Sequence, residues 1–314
     1  MKKFLKVTAI VIGTILALFA LGLGTTTVVN AVATGSETKN LKPYGELIEV
    51  DGKNMNVVDR GAGEQTIVLL PGLGTAAPGL DFEPLIAQLE DRFRVIAVEP
   101  LGTGLSDEAG TARTSENIAR EVHGALSTMG VRSYSLMGHS IAGIYALTYV
   151  NEFPEEVTAF IGIDSSVPNQ PGADSEYPTE SMQQLKALGL LRVLDGLAPD
   201  MYTDLDYTPE MKDQMHVLAL RHAASDDLGS EMNLAGENFA AARELSFPAD
   251  LPVLLFVVSE GEDVEGWIPL HEEQIAAQTT GRMILMDGDH YLHHTLAPQI
   301  AAETVSFLDA LPAR

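Results

Sequence analysis

A serine lies between two small residues at a point where the sequence is expected to change from strand to helix. Ser140 follows an apolar run and precedes a helical pattern over residues 141–153. Gly138 and Ala142 stand two positions to either side, and a sharp strand-to-helix turn needs small side chains there because larger ones would meet neighbouring backbone. Alanine replaces the glycine that usually ends this pattern, and Gly143 follows it. Ser140 is therefore predicted to be a nucleophile at the start of a helix.

A histidine near the C-terminus can supply the base that a serine hydroxyl needs near neutral pH. His290 follows the last predicted strand, residues 283–286, and precedes a helix predicted over residues 297–311. Loops at the carboxyl ends of parallel strands are where open α/β sheets bind ligands. We predict that His290 is the general base, with His293 and His294 as rivals in the same loop.

A carboxylate is expected to orient His290 and to stabilise its charged form. The loop after the predicted strand 253–258 is rich in acids, and Asp263 is the first choice there. Glu260 lies closer to the end of that strand. Asp164, at the end of the preceding predicted strand, is a third candidate, so the identity of the acid stays open.

Two glycines after another apolar run indicate where a developing negative charge could be stabilised. Residues 66–70 are followed by Gly72 and Gly74, which allow the backbone to approach a ligand closely. An oxyanion hole needs two backbone donors. The N–H of Leu73 and the N–H of Ile141, which follows the nucleophile, are the predicted pair.

The residue types argue against thiol chemistry and against a metal site. The chain contains no cysteine, which excludes a thiol nucleophile, disulfide bonds and thiolate metal ligands. Three histidines within residues 290–294 suggest a metal site as an alternative, but no nearby carboxylate and histidine have the helical spacing of a ligand pair. We therefore predict no metal ion.

Short apolar runs alternate with helical patterns along most of the chain, which predicts an α/β fold. Residues 46–50 and 54–60 flank Asp51-Gly52, a strong hairpin signal. The later runs indicate a mostly parallel sheet with helices on both faces. Its predicted strands are residues 66–70, 94–98, 134–137, 159–163, 253–258 and 283–286, and its predicted helices include residues 81–89, 115–129 and 141–153.

Residues 165–247 interrupt this alternation. They lack strand-like runs and carry three helical patterns, over residues 181–194, 209–222 and 231–244. Helices without strands in the middle of an α/β core predict an inserted helical lid. The core is accordingly predicted to comprise residues 45–164 and 248–314.

The N-terminal segment has the pattern of a membrane-directed sequence. Three lysines among the first six residues precede an apolar run over residues 7–23, close to the roughly 20 residues that span a bilayer as a helix. Ala31-Val32-Ala33 matches the A-x-A pattern of a signal-peptide cleavage site. Residues 1–33 are therefore an uncleaved signal anchor or a cleaved secretory signal, followed by a polar tether over residues 34–44. The positive flank predicts a catalytic domain outside the cytoplasm in either case.

The charge of the chain excludes one class of partner. Forty-four acidic residues against 19 basic ones give a formal net charge of −25 at pH 7. Such a surface repels nucleic acid and anionic lipid. No nucleic-acid partner is expected.

Taken together, these motifs resemble the α/β-hydrolase superfamily with a helical cap, a group that includes esterases, lipases and prolyl aminopeptidases. The resemblance covers residues 45–164 and 248–314. It implies hydrolysis of small-molecule esters through an acyl-enzyme on Ser140, without a metal or an organic cofactor. The motifs that carry it are Pro71-Gly72-Leu73-Gly74, the D-x-x-G-x-G-x-S-like run from Glu99 to Asp107, the Ser140 turn and Asp289-His290.

Two departures from the family pattern affect the expected site. Pro71 stands where many members have a histidine before the glycine, which alters the support of the oxyanion loop. The loop after the predicted seventh strand lacks the usual G-x-x-D, which leaves the acid undecided.

Two other functions remain open at the level of sequence. An aminopeptidase or amidase of the same fold would need an acidic anchor for a substrate amine, for which the insertion offers Asp195, Asp200, Asp204 and Asp206. A membrane-tethered binding protein could use the same fold without catalysis.

Overall fold

The computed structural model describes residues 1–259 and 264–312, which form eight strands and twelve helices. The strands are β1 (Glu46–Val50), β2 (Lys53–Arg60), β3 (Thr66–Leu70), β4 (Arg94–Val98), β5 (Tyr134–His139), β6 (Val157–Ile163), β7 (Val253–Val258) and β8 (Gly281–Met286). The helices are α1 (Lys2–Asn40), α2 (Pro78–Asp81), α3 (Glu83–Leu89), α4 (Ser115–Thr128), α5 (Ala142–Glu152), α6 (Thr179–Ala187), α7 (Leu190–Asp195), α8 (Pro209–His222), α9 (Asp226–Ala242), α10 (Trp267–Ala276), α11 (Leu292–Thr295) and α12 (Ala297–Asp309).

The strands form an eight-stranded sheet in the order β1-β2-β4-β3-β5-β6-β7-β8. β1 and β2 form the predicted antiparallel hairpin, and β2 is antiparallel to β4. Every later pair, from β3 with β4 to β7 with β8, is parallel. The carboxyl ends of β3, β5, β6, β7 and β8 therefore lie along one edge of the sheet. The predicted mostly parallel α/β sheet is confirmed.

Apolar side chains cover both faces of this sheet. Successive residues of a strand point to opposite faces, and along β3 they join two different cores. Val68 belongs to a cluster with Val122 of α4, whereas Leu69 belongs to a cluster with Leu85 of α3. Helices therefore pack on both sides, which explains why the parallel strands are continuous apolar runs.

Two threonines set the starts of helices that the sequence predicts. Thr114 precedes α4, and its side chain accepts a hydrogen bond from the N–H of Asn117 at 3.3 Å. Thr208 precedes α8 and accepts from the N–H of Met211 at 3.2 Å, with Pro209 in the first turn. Each side chain satisfies a backbone donor that the helix itself leaves unpaired.

The insertion between β6 and β7 contains α6, α7, α8 and α9. The helix predicted over residues 181–194 is instead two helices, because Gly189 separates α6 from α7 in a left-handed conformation with φ of 72°. A Cβ at this position would lie 2.3 Å from the carbonyl oxygen of Thr26. The close approach of α1 thus requires glycine, a constraint that local periodicity does not reveal.

The chain divides into two compact units. One contains residues 1–41 and 178–201, and the other contains residues 42–177 together with the chain from Tyr202 onward. In the first unit, α1 is long and apolar enough to cross a membrane, by length and composition, with a mean hydropathy of 2.4 in its most apolar stretch. The segment predicted as a tether, residues 34–44, continues this helix as far as Asn40.

Candidate active site

Ser140 occupies a strained turn between β5 and α5. Its φ is 56°, a left-handed conformation that residues other than glycine rarely adopt. The turn is held on both sides: the N–H of Ser140 donates to the carbonyl of Ile163 at 3.2 Å, and its carbonyl accepts from the N–H of Ser166 at 2.8 Å. Strain that the surroundings hold in place in this way is typical of functional positions.

The small residues of the motif are each required by a different steric contact. A Cβ added to Gly138 would lie 3.0 Å from the Cβ of Ala142, so alanine fits at the fifth position of the motif as long as the first stays glycine. A Cβ added to Gly143 would lie 2.4 Å from the carbonyl oxygen of Ser166. The turn therefore requires glycine at Gly143, one position after the place where the motif usually has glycine.

The hydroxyl of Ser140 begins a chain of three polar groups. Its Oγ lies 2.9 Å from Nε2 of His290, and Nδ1 of His290 lies 2.6 Å from Oδ2 of Asp164. When Nδ1 carries the proton and donates it to the carboxylate, Nε2 is left as an acceptor for the serine proton. This arrangement can activate a hydroxyl for attack on a carbonyl carbon.

Asp164 is buried and fully hydrogen-bonded. It follows β6 with φ of 43°, and its Oδ1 accepts from the N–H of Val258 at 3.0 Å and from Nε1 of Trp267 at 2.9 Å. Burial alone would raise the pKa of this carboxyl, but the hydrogen bonds from His290, Val258 and Trp267 outweigh it and lower the pKa. Asp164 is therefore ionised near neutral pH and can stabilise a charged imidazole.

Asp263 and Glu260, two of the three carboxylates that the sequence offers for this role, lie outside the described residues. The third, Asp164, is the one that contacts His290. Its strand, β6, is the immediate neighbour of β5. The sequence signal for it is an aspartate directly after an apolar strand, a signal that it shares with other loops at the same sheet edge.

The predicted oxyanion donors lie beside the nucleophile. A Cβ on Gly72 would be 3.0 Å from the Cβ of Ser140, so the loop after β3 passes directly over the serine. Ile141 stands at the N-cap of α5, where the helix dipole favours negative charge. Among the described residues, neither the N–H of Leu73 nor that of Ile141 has a protein acceptor. Both can therefore donate to a ligand.

Comparison with known proteins assigns the fold to a family. A family model described as alpha/beta hydrolase fold matches residues 65–224, half of the chain. The chain belongs to the α/β-hydrolase family.

Similar proteins include curated sequences and solved structures. The uncharacterized protein YbdG of Bacillus subtilis (strain 168) is 27% identical over 264 residues, which cover 81% of each chain. A 2-hydroxy-6-oxononadienedioate/2-hydroxy-6-oxononatrienedioate hydrolase of Paraburkholderia phymatum is 31% identical over 170 residues, covering 52% of this chain and 56% of the relative. The enol-lactonase structure from Burkholderia xenovorans LB400 has a TM-score of 0.65 at 19% identity, covers 84% of this chain and 100% of the other, and shows the shared fold.

In this α/β-hydrolase, His139 contacts both His290 and the oxyanion loop, a role that the sequence pattern does not indicate. It is buried, its Nε2 donates to the carbonyl of His290 at 3.0 Å, and its ring centroid lies 4.7 Å from that of His290. Its Nδ1 would lie 2.8 Å from a Cβ on Gly72. Burial, and then the neighbouring His293 and His290, hold the pKa of His139 well below its usual value. His139 is therefore neutral near neutral pH and lies between the loop that carries His290 and the oxyanion loop.

His293 and His294, the rival histidines, bind another carboxylate. Their Nε2 atoms lie 2.8 Å from Oδ2 and Oδ1 of Asp81, respectively. Burial would raise the pKa of Asp81, but the two histidines hold it well below its usual value. Burial lowers the pKa of His293 despite the opposing charge of Asp81. Neither rival is placed to act on Ser140.

The same three groups are the candidates for a metal site, because their ligand atoms all lie within 4.8 Å of one another. A histidine that binds a metal through one nitrogen usually donates its other N–H to an acceptor. Nδ1 of His293 is buried and has no partner within the described part of the chain. A metal on Nε2 would leave a buried N–H unpaired there, so this donor set fits a pair of N–H···carboxylate bonds better than a metal.

The D-x-x-G-x-G-x-S-like loop is organised by Glu99. This buried carboxylate accepts from Tyr44 Oη at 2.7 Å, from the N–H of Gly79 at 3.0 Å and from the N–H of Leu105 at 2.8 Å. A Cβ on Gly104 would lie on top of it, 1.7 Å from Oε2. The loop is thus a structural element that positions the chain next to the oxyanion loop.

A small cavity lies between that loop and the oxyanion loop. It measures about 30 Å³, room for about two water molecules, and Arg113, Tyr145 and Glu231 are among its lining residues. Tyr145 donates to Glu231 at 2.6 Å, and burial raises the pKa of Glu231. A carboxyl that is already bonded to a protein side chain is a poor anchor for a substrate ammonium.

Proposed function

We propose that this α/β-hydrolase cleaves carboxylic esters of small molecules through an acyl-enzyme on Ser140. The observation that carries the proposal is the continuous hydrogen-bonded chain from Ser140 through His290 to Asp164. Hydroxyl, imidazole and ionised carboxylate in this order are the groups that acyl transfer to serine requires.

In the proposed reaction, Oγ of Ser140 attacks the ester carbonyl while Nε2 of His290 takes its proton. The N–H groups of Leu73 and Ile141 bind the resulting oxyanion. His290 then gives the proton to the leaving alkoxide, and the C–O bond breaks to leave an acyl-serine. A water molecule repeats the sequence: His290 removes its proton, the hydroxide adds to the acyl carbon, and Ser140 leaves with the proton returned.

Several observations favour this chemistry over the alternatives. The curated relative from Paraburkholderia phymatum carries the name of a hydrolase, which supports hydrolysis as the reaction class. An aminopeptidase would need an acidic anchor for a substrate ammonium, and Glu231 beside the oxyanion loop already accepts a hydrogen bond from Tyr145 and interacts with the charge of Arg113. The proposed steps use protein side chains and water, so we propose no metal and no organic cofactor.

The proposed location follows from the N-terminal helix. We infer that α1 anchors the protein in a membrane and that the catalytic unit lies on the side away from the N-terminal lysines. Secretion after cleavage near Ala33 is the alternative. The net charge of −25 makes nucleic acid an unsuitable partner.

The direct test is covalent labelling of the serine combined with turnover of model substrates. A fluorophosphonate should label the wild-type protein on Ser140, and Ser140→Ala should abolish labelling and lower nitrophenyl ester hydrolysis by at least about 10⁴-fold. Ser133→Ala, the same change at an exposed serine, is the matched control and should retain both. Absence of wild-type labelling would support a binding protein, and faster cleavage of aminoacyl arylamides than of esters would support an aminopeptidase.

A further inference from the structure

The helix α1 continues well beyond its apolar segment and carries a polar stripe there. Thr26, Asn30, Thr34 and Glu37 follow one another at intervals of four, four and three residues. Residues three and four apart lie on the same face of a helix. The stripe begins three residues after Leu23, where the apolar run ends.

This stripe binds the ends of α6 and α7, within the same compact unit. The hydroxyl of Thr26 donates to the carbonyl of Leu188 at 2.7 Å, and Nδ2 of Asn30 donates to the carbonyl of Lys186 at 3.2 Å. These carbonyls lie at the C-terminal end of α6, and that of Lys186 also accepts from the N–H of Gly189 at 2.9 Å. The side chains of α1 therefore cap α6.

Arg192 of α7 makes further and stronger contacts with α1. Its guanidinium binds both carboxylate oxygens of Glu37, at 2.8 and 2.7 Å, and also contacts Asn30 Oδ1 at 3.1 Å and Thr34 Oγ1 at 3.2 Å. A bidentate arginine–carboxylate pair fixes orientation as well as distance. Together with Gly189 against the backbone of Thr26, it makes α7 a close neighbour of α1.

The length of α1 sets the height of this contact above a membrane. From Lys6, the last of the three lysines that precede the apolar run, to Thr26 the helix rises about 30 Å, the thickness of the hydrocarbon core. Thr26 would then lie at its outer boundary. Glu37 would lie about 16 Å further out, so the stripe spans the headgroup layer of about 5–8 Å and the water just above it. The elements bound to Thr26 and Asn30 would therefore lie at headgroup depth.

α7 and the turn after it, which follow these contacts along the chain, expose apolar side chains. Leu194 is 56% exposed and Leu197 is 79% exposed, and Val193 and Met201 are exposed as well. We call these four residues the α7 patch. Exposed large apolar groups on one short segment indicate a surface that is covered by another apolar phase.

We propose that α1 is retained in the mature protein and that the α7 patch is immersed in the outer surface of the lipid bilayer. The bilayer is the occupant because the segment bearing the patch is bound to the first turns of α1 beyond the proposed span. The contact is apolar, since a chain of net charge −25 gains nothing from anionic headgroups. This inference rests on the proposed membrane anchor and not on the proposed ester hydrolysis.

The inference also decides between the two fates of the N-terminus. Cleavage after Ala33 would remove Thr26 and Asn30, leave the carbonyls of Lys186 and Leu188 without their α1 donors, and expose the face of α7 that Arg192 now holds. Mass spectrometry of the protein isolated from the membrane fraction should find the residues before Ala33 present. A mature N-terminus at Thr34 would overturn the inference.

The position of the α7 patch can be measured on the full-length chain, which has no native cysteine to remove. Leu194→Cys and Leu197→Cys are labelled with an environment-sensitive fluorophore and reconstituted in phosphatidylcholine vesicles that contain a headgroup-proximal doxyl lipid. The controls are Thr38→Cys and Asn40→Cys, exposed positions at the far end of α1 in the same compact unit, about 18 and 21 Å beyond Thr26 along the helix. The labels at 194 and 197 should lose most of their fluorescence and the control labels little. Equal quenching at all four positions would overturn the inference.

A pair of alanine substitutions tests whether α1 holds the patch in place. Gly189→Ala places a Cβ 2.3 Å from the carbonyl oxygen of Thr26, whereas Gly196→Ala meets its nearest atom at an ordinary 3.5 Å. Combined with the label at 197, the first change should reduce quenching by the doxyl lipid and the second should leave it unchanged. An identical response of both variants would show that docking on α1 does not position the patch.

The same samples separate this inference from the proposed hydrolysis. Fluorophosphonate labelling of Ser140 reports on the catalytic proposal and does not require quenching of the patch. Labelling without selective quenching overturns the membrane inference alone. Selective quenching without labelling overturns the ester hydrolase alone.

Discussion

Nδ1 of His290 lies 2.6 Å from Oδ2 of Asp164, a residue at the end of β6, next to the strand that carries Ser140. The nucleophile and the acid therefore come from adjacent strands, and the histidine reaches them from the loop after β8. The second carboxylate oxygen of Asp164 is fixed by Val258 and Trp267. This carboxylate can hold the imidazole in one orientation and one tautomer.

Asp164→Asn tests the role of that carboxylate. The amide is nearly the same size but carries no charge, and its NH₂ can turn toward His290 and favour the wrong tautomer. We expect kcat for a nitrophenyl ester to fall about 10³–10⁴-fold with the fold retained. Steady-state kinetics and far-UV circular dichroism measure the two quantities.

Asp263→Asn is the matched variant, because Asp263 is the first choice of the sequence for the same role. If Asp164 is the acid, Asp263→Asn leaves kcat unchanged. A large loss in Asp263→Asn with little loss in Asp164→Asn would reassign the acid to the loop after β7.

We predict opposite tolerance to substitution at Gly143 and Ala142, the two unusual positions of the turn around Ser140. Gly143→Ala puts a Cβ 2.4 Å from the carbonyl oxygen of Ser166, so we expect a loss of stability of about 2–3 kcal/mol or more and loss of activity. Ala142→Gly restores the common motif and should cost about 0.5–1 kcal/mol of stability with turnover nearly unchanged. Urea denaturation and ester turnover would compare them. Equal tolerance of both changes would contradict the steric account.

His139 is expected to act as a positioning residue. His139→Phe keeps a ring but removes the N–H that donates to the carbonyl of His290, so kcat should fall about tenfold, equivalent to one hydrogen bond of about 1.4 kcal/mol, with KM unchanged. His139→Gln keeps an N–H donor and should recover part of kcat. If Phe and Gln lose activity equally, or if KM rises while kcat stays, His139 does not support His290 in this way.

The sequence is sufficient to predict the sheet, the turn at Ser140 and the candidacy of His290, because each depends on local patterns. Apolar runs of strand length, small residues at fixed offsets and a histidine after the last strand are all visible within short windows. The choice among Asp164, Glu260 and Asp263 does not depend on a local pattern. All three follow strands whose carboxyl ends meet at one sheet edge. The strand that lies next to β5 is determined by the strand order of the sheet, and no local sequence pattern contains that order.

Long-range contacts account for the other differences. Asp81 is 212 residues from His293, so their pairing cannot be read from spacing. The break at Gly189 is imposed by the backbone of Thr26, 163 positions earlier in the chain. The polar residues after Ala33 predict a tether when taken alone, yet they continue α1, on which Glu37 binds Arg192. In each case the deciding partner lies far away in sequence.

The buried histidines predict how stability depends on pH. His139 and His293 have lowered pKa values in the folded state, so the folded protein binds protons on them at lower pH than the unfolded chain, which does so below about pH 6.5. The unfolded state then holds more protons, so the free energy of unfolding falls as the pH falls, by up to about 1.4 kcal/mol per pH unit for each histidine. Asp81 and Asp164, whose pKa values are also lowered, add a further loss below about pH 4 for the same reason.

His139→Phe isolates one part of this dependence. The variant has no proton to bind at that position in either state, so between about pH 6.5 and 5 its free energy of unfolding should fall less steeply than that of the wild type, by up to about 1.4 kcal/mol per pH unit. Above about pH 7.5 the two proteins should show parallel curves, which serves as the internal control. Urea denaturation in detergent at a series of pH values gives both slopes. Because burial of neutral His139 is the cause of the difference, equal slopes in the acid range would mean that His139 is protonated in the folded protein and that its N–H to His290 belongs to an imidazolium.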